Sequence, residues 1–191
     1  MLLHSGSFLL LIIPAGMAAQ QRIIVTGDGT GDFSSIQDAI NSLPDSAATD
    51  RTIFIKKGSY REKLFIKKHK LVLEGEGRDQ TIIHYSIARD EWRCEHPDDW
   101  GVATMNIQAN DITLKNLAVV NSFGFNFSGD YTIPCKADST GQRTIRINSH
   151  QMALRTMYCT RLKAVNCHFK AFGGDTVSPW ETGNGMWYFK D

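Results

Sequence analysis

Two segments of this chain repeat each other at a fixed spacing, and that spacing constrains the fold more than any other feature. Residues 115–124 (KNLAVVNSFG) align with residues 165–174 (VNCHFKAFGG), placing Asn116 on Asn166 and Gly124 on Gly174. Short β-rich runs at 52–55, 63–66, 71–74, 81–84, 104–107 and 112–115 succeed one another, bounded by turns rich in Gly, Asn, Asp or Lys. Short strands that recur with Asn at equivalent turns suit a parallel β-helix, in which each coil stacks on the last and turn asparagines form a ladder. An antiparallel sandwich or barrel is the alternative. It is disfavoured because no tight Asn-Gly or Asp-Gly hairpin joins these runs.

Ahead of the strands lies one amphipathic segment. A first strand over 22–25 is followed by the glycine-rich turn 27–31 and a helix with Phe33, Ile36, Ile40 and Leu43 on one face. Ser34 with Gln37 reads as a capping box, and Pro44 stops the helix. Strand, glycine turn and helix invite a dinucleotide-binding reading, but position 32 is Asp where a third glycine belongs and no βαβ unit follows. In a solenoid the helix has another use, as a cap over the hydrophobic N-terminal end. No further helix is expected, and the apolar strand at 186–189 is expected to leave the other end open, as if further coils were missing.

With 191 residues and a net charge of +1, the chain can bury a real core and lacks the basic excess of a nucleic-acid binder. Charge is nonetheless uneven. Residues 51–70 are rich in Lys and Arg against a lone Glu62, and 90–99 carries Asp90, Glu91, Glu95, Asp98 and Asp99. These are either solvated faces or, for the basic one, an attraction for a polyanion such as an acidic polysaccharide. Residues 1–20 read as a secretory signal, with an apolar run at 8–13 and small residues at 17–19, although Lys and Arg are absent before the run. The domain then occupies 21–191. In an oxidising compartment Cys94, Cys135, Cys159 and Cys167 allow one or two disulfides of open pairing, and their spacing matches no common zinc site.

Chemistry concentrates in two short pieces, Gln151 to Arg155 (QMALR) and Phe172 to Thr176 (FGGDT). Asp175 follows two glycines, so its carboxylate can stand clear in a cleft, and the Gln151 amide can donate to a developing oxyanion. A carboxylate with an amide suits ester chemistry without a serine, and no Gly-x-Ser-x-Gly elbow is present. Phe123, Phe125, Trp180 and Trp187 are candidate sugar-stacking platforms, with core packing favoured for Trp187. The blander readings are that Gln151 satisfies backbone groups, that Asp175 is a turn residue, and that Tyr60 and Glu62 are structural.

Taken together the residues resemble the pectin methylesterase (pectinesterase) family. The opening VTGDGTGDF with IQDAI at 36–40, GSYRE at 58–62, ITLKN at 112–116 with NSFG at 121–124, QMALR at 151–155 and Asp175-Thr176 follow the family's motifs in order. The resemblance implies an all-β, right-handed parallel β-helix with an N-terminal capping helix. Its implied reaction is hydrolysis of galacturonate methyl esters in pectin by a two-aspartate mechanism, without cofactor or metal. It implies a secreted or periplasmic monomer whose partner is pectin, with no nucleic acid and no membrane once the leader is removed. Asp175 would be the general acid/base, Gln151 an oxyanion or substrate contact, and Thr104, with Phe123 and Trp180, part of the substrate groove.

Two departures stand out. The family's glutamine before the acid/base is Gly174 here, and losing an oxyanion donor costs about 100- to 1000-fold in rate unless another group substitutes. Backbone N–H groups freed by the glycines are one candidate substitute, for which Gly174→Gln is the suggested probe. The family's nucleophilic aspartate falls just beyond Asp191, so this stretch alone is expected to be an inactive part of an esterase. Two alternatives remain: a non-catalytic β-helix that binds acidic polysaccharide, and a polysaccharide lyase needing a calcium-binding carboxylate cluster, for which only 90–99 offers acids.

Overall fold

A computed structural model describes residues 22–180 and 184–191; the expected leader lies outside the described residues. β1 (Ile23–Val25) leads into helix α1 (Ile36–Ser42), after which the chain winds in three-strand coils. The first coil is β2 (Arg51–Ile55), β3 (Gly58–Tyr60) and β4 (Leu64–Ile66). The second is β5 (Leu71–Gly75), β6 (Thr81–Tyr85), a helical insertion α2 (Arg89–Glu95) and β7 (Ala103–Ile107). The third is β8 (Ile112–Lys115), β9 (Ala118–Asn121), an antiparallel hairpin of β10 (Tyr131–Pro134) and β11 (Gln142–Ile145), and β12 (Met152–Met157). Then come β13 (Arg161–Val165), β14 (His168–Lys170), β15 (Val177–Trp180) and β16 (Met186–Lys190). Equivalent strands stack in three sheets of parallel pairs, ordered β1-β2-β5-β8-β13-β16, β3-β6-β9-β14 and β4-β7-β12-β15. This is the expected parallel β-helix.

Stacked apolar residues hold the coils in register. Ile53, Leu73, Leu114 and Ala164 are successive Cα partners in the first sheet, and all four are buried. Tyr60, Ile83, Val119 and the partly buried Phe169 are successive partners in the second, and Leu64, Met105, Leu154 and the partly buried Val177 in the third. Each fully buried aliphatic side chain contributes about 1.5–3 kcal/mol. A one-residue slip would turn the row outward.

Helix α1 closes the N-terminal end with Ile36, Ala39 and Ile40 buried. Its N-cap is Ser35, one residue after the position the capping-box reading favours, and the Ser35 side chain accepts from the Asp38 N–H. The second partner comes from the first coil. Glu62 accepts from the Ile36 and Gln37 N–H groups at 2.9 Å and from Ser35 Oγ at 3.1 Å. Gln37, free of that box, ties the helix to β4 by accepting from the Phe65 N–H and donating to the Phe65 carbonyl.

The asparagine ladder forms as expected: Asn166 Nδ2 donates to Asn116 Oδ1 at 2.8 Å, both residues having a left-handed backbone at φ 52° and 53°. The repeat decays further along. A Cβ on Gly124 would meet Phe172 Cβ at 2.3 Å, and one on Gly174 would meet His150, so Gly124 stacks near Phe172 and not on Gly174. The cause is the change in loop length after β14, where the long third-coil insertion has no counterpart. Helix α2 also departs from expectation. It carries no regular apolar face, burying Cys94 alone, and is held by a Cys94–Cys135 disulfide to the segment after β10.

The ladder makes a sharp prediction. Asn116→Ala keeps the left-handed strain and loses the amide bond, costing about 2 kcal/mol, whereas Asn116→Gly relieves the strain and costs about 1 kcal/mol. Urea denaturation should rank the two in that order.

Candidate functional site

The face on which the family resemblance expects the substrate groove is the outer face of the sheet β4-β7-β12-β15. Phe65, Asn106, Arg155 and Ser178 are successive Cα partners across it. Arg155 Nη1 donates to Ser178 Oγ at 3.2 Å, and its guanidinium lies 5.5 Å from the exposed Trp180 ring. Arg155 is only 6% exposed. Burial pushes its pKa down, the Asp99 and Asp175 charges pull it back, and Arg89 opposes them. A guanidinium stays protonated in any case, so a buried positive charge sits in this sheet with Asp175 inside its field.

Asp99 is the hub beneath the insertion. It takes a bidentate pair from Arg89, with both contacts at 3.0 Å, one bond from Arg93 at 3.2 Å, and Arg155 Nη2 at 3.6 Å. Burial raises its pKa, and the Arg89 bonds and charge more than offset that, leaving it below the usual carboxylate range. The other acids of 90–99 are also engaged: Glu95 with Lys136, Glu91 with Tyr131, and Asp90 with Ser149. Cations of the 51–70 stretch are likewise divided, Lys56 pairing Glu76 and Lys68 pairing Asp45. Lys63 points at an aromatic cluster, its Nζ 3.3 Å from the Trp92 ring centroid and within 6 Å of Phe65 and Tyr85. Burial pushes the Lys63 amine down to about 8, against a pull from Glu91.

Asp175 stands exposed just ahead of β15. Gln151 is wholly buried beside it. The Gln151 side chain accepts from the Gly124 N–H at 2.9 Å and donates to the Ile147 carbonyl at 2.7 Å, while its backbone N–H donates to Gly173. It thus ties the loop after β9 to the glycines that carry Asp175. Thr104 is also wholly buried and donates to the Val120 carbonyl. Phe123 is 5% exposed and packs with Ala88, Ile145, Phe127 and Ile133, too deep to stack on a ligand. The exposed ring of that turn is Phe125, edge-on to exposed Phe172 with centroids 6.0 Å apart. Trp187 packs partly buried against the main core, as expected.

Arg155 and Asp99 were not singled out by sequence reasoning. An arginine closing the apolar run 152–154 was the available signal; Asp99 had none, because its partners come from helix α2 and from the distant β12. Gly174 has φ +73°, and a Cβ there would lie 3.0 Å from His150 Cα, so Gly174→Gln meets both a left-handed backbone and a clash.

Asp99→Asn leaves three guanidiniums without their carboxylate. Arg89 and Arg93 are partly exposed and Arg155 is buried, so the expected cost, about 2 kcal/mol, falls between surface and buried pairs. A lower Tm that converges with wild type as pH falls below the ordinary aspartate range would confirm it. For Lys63, an NMR titration of methyl-labelled lysines should place its midpoint near 8. Because that lies below the unfolded value, this group adds stability as pH rises from about 8 to about 10.4. A midpoint at the ordinary lysine value would mean that the Trp92 face outweighs burial.

The family model described as pectinesterase matches residues 22–170. Among similar proteins, pectinesterase/pectinesterase inhibitor 18 of Arabidopsis thaliana is 37% identical over 145 residues, covering 75% of this chain and 25% of that protein. Pectinesterase A of Dickeya chrysanthemi is 32% identical over 133 residues, covering 63% of this chain and 36% of that one. A solved pectin methylesterase in complex with a hexasaccharide superposes with TM-score 0.64 at 25% identity, over 85% of this chain and 46% of that structure. The carrot pectin methylesterase, at 21% identity and TM-score 0.62, shares the fold over 87% of this chain and 44% of its own. The chain thus spans less than half the length of these relatives. It belongs to the pectinesterase family.

Proposed function

We propose that this chain forms the acid/base side of a groove that hydrolyses galacturonate methyl esters in pectin. The observation that carries this reading is Asp175, exposed ahead of β15 and interacting with the buried Arg155 charge, with Phe172 and Trp180 exposed on either side of it in the chain and Phe125 edge-on to Phe172. Aromatic faces suit the apolar faces of sugar rings. A buried guanidinium suits an acidic polymer.

In the reaction, a second carboxylate attacks the ester carbonyl, Asp175 gives its proton to the departing methoxy oxygen, and methanol leaves an acyl-enzyme anhydride. Water then attacks the anhydride, Asp175 takes the water's proton, and both carboxylates are restored. On this reading the second carboxylate is supplied from outside the described residues. Asp191 itself pairs with Arg78 at the corner between the first and second sheets, away from Asp175. Gln151 braces the Asp175 loop, and Thr104 and Phe123 support the groove from beneath. Export through the leader, action as a monomer on pectin, and work without metal or cofactor complete the proposal. No helix among the described residues is long and apolar enough to cross a membrane.

Gly174 favours a second reading, a β-helix that binds acidic polysaccharide without turning it over. Methanol release from highly methyl-esterified pectin by the full gene product separates the two. Asp175→Asn is expected to lower kcat about 1000-fold with little change in KM. Binding of methylated oligogalacturonide without any methanol would leave the binding reading and sink the esterase one.

A further inference from the structure

On the esterase reading, the oxyanion formed at the ester carbonyl needs donors, and the two amides expected to serve are not placed to do so. One is missing, because residue 174 is glycine. The other belongs to Gln151, which is wholly buried and already holds the Gly124 N–H and the Ile147 carbonyl. A different polar side chain stands beside the vacancy. A Cβ built on Gly174 would lie 3.1 Å from His150 Cγ and 3.0 Å from His150 Cα, so the root of the imidazole borders the space a side chain at 174 would enter. His150 is exposed and so free to meet a ligand.

Its backbone is fixed on both sides. The His150 carbonyl accepts from the Arg89 N–H at 2.8 Å, and the next N–H, that of Gln151, donates to Gly173. The ring therefore starts from a rigid stem next to the glycine pair that carries Asp175. A glycine at 174 is what permits this, since any side chain there would compete with His150 for the same volume.

We propose that His150 is a catalytic residue of this groove, its imidazole N–H donating to the ester carbonyl oxygen in place of the glutamine absent at 174. When the nucleophilic carboxylate adds to the carbonyl carbon, the C=O π electrons move to oxygen, and His150 stabilises that charge by a hydrogen bond while keeping its proton. The tetrahedral adduct collapses with loss of methanol, whose proton comes from Asp175. His150 is neither oxidised nor consumed.

The inference rests on the esterase reading, and the test keeps the two apart. In the full gene product, His150→Ala is expected to lower kcat about 100-fold with KM changed less than about 3-fold, the range for removing one oxyanion donor. His150→Gln, which restores an amide donor, is expected to retain activity to within about 10-fold. If His150→Ala turns over like wild type while Asp175→Asn is inactive, the donor is a backbone N–H and this inference fails with the esterase reading intact. If wild type releases no methanol, the esterase reading fails. The contact is then judged by NMR with fully methyl-esterified hexagalacturonate. Shifts of the His150 ring signals on binding support it, and binding with those signals unmoved overturns it.

Discussion

Parallel stacking of coils is the constraint on which everything else here depends. Each strand finds its hydrogen-bond partners one coil away, so the inward side chains must fall in register from coil to coil, as Ile53, Leu73, Leu114 and Ala164 do. A corner between sheets can vary in length only if the strands on either side still meet their partners. The corner between the first and second sheets obeys this in the third and fourth coils with a single left-handed asparagine each, Asn116 and Asn166, bonded to one another. The corner between the second and third sheets accepts long insertions. Helix α2 arrives there in the second coil, the β10–β11 hairpin in the third, and the glycine loop with Asp175 in the fourth. The candidate chemistry therefore lies along one edge of the solenoid, where chain length is free to vary, and the rigid rows inside keep that edge straight.

Much of this arrangement was legible in the amino-acid sequence because it is local or periodic. Each β-rich run named from the sequence located its strand to within a residue or two, the fifty-residue repeat located the ladder, and the spacing of Ile36 and Ile40 located the capping helix. What was not legible depends on pairings between distant segments. Glu62 caps α1 from beyond two intervening strands, so a local capping box was read one residue early. Helix α2 lacks an apolar stripe because a disulfide and ion pairs hold it, and neither partner is apparent from 89–95 alone. Phe123 and Phe125 look equivalent in sequence. A short 3-10 turn at Gly124–Asn126 separates them, leaving one ring inside and the other in solvent.

Electrostatically the groove departs from the pattern its composition suggests. In the basic stretch 51–70, Lys56 and Lys68 pair with Glu76 and Asp45, Arg51 and Lys70 bond backbone carbonyls, and Lys57, Arg61 and Lys67 stay exposed. The acidic stretch 90–99 instead gathers positive charge, because Asp99 collects Arg89, Arg93 and Arg155. Arg155, one of three guanidiniums around Asp99, places its field on Asp175. That field is set by buried geometry, so salt screens it less than it would an exposed patch.

The Cys94–Cys135 bond joins insertions that belong to different coils. Closing a loop of 41 residues restricts the unfolded chain by on the order of 4 kcal/mol. Its mechanical effect is separate from that restriction. Helix α2 and the hairpin are tied together across two coils by the disulfide, the Lys136–Glu95 pair and the Tyr131–Glu91 bond. The two insertions along the variable edge therefore cannot move apart independently, and Asp99, just beyond α2, keeps its contact with Arg155 next to this tied pair.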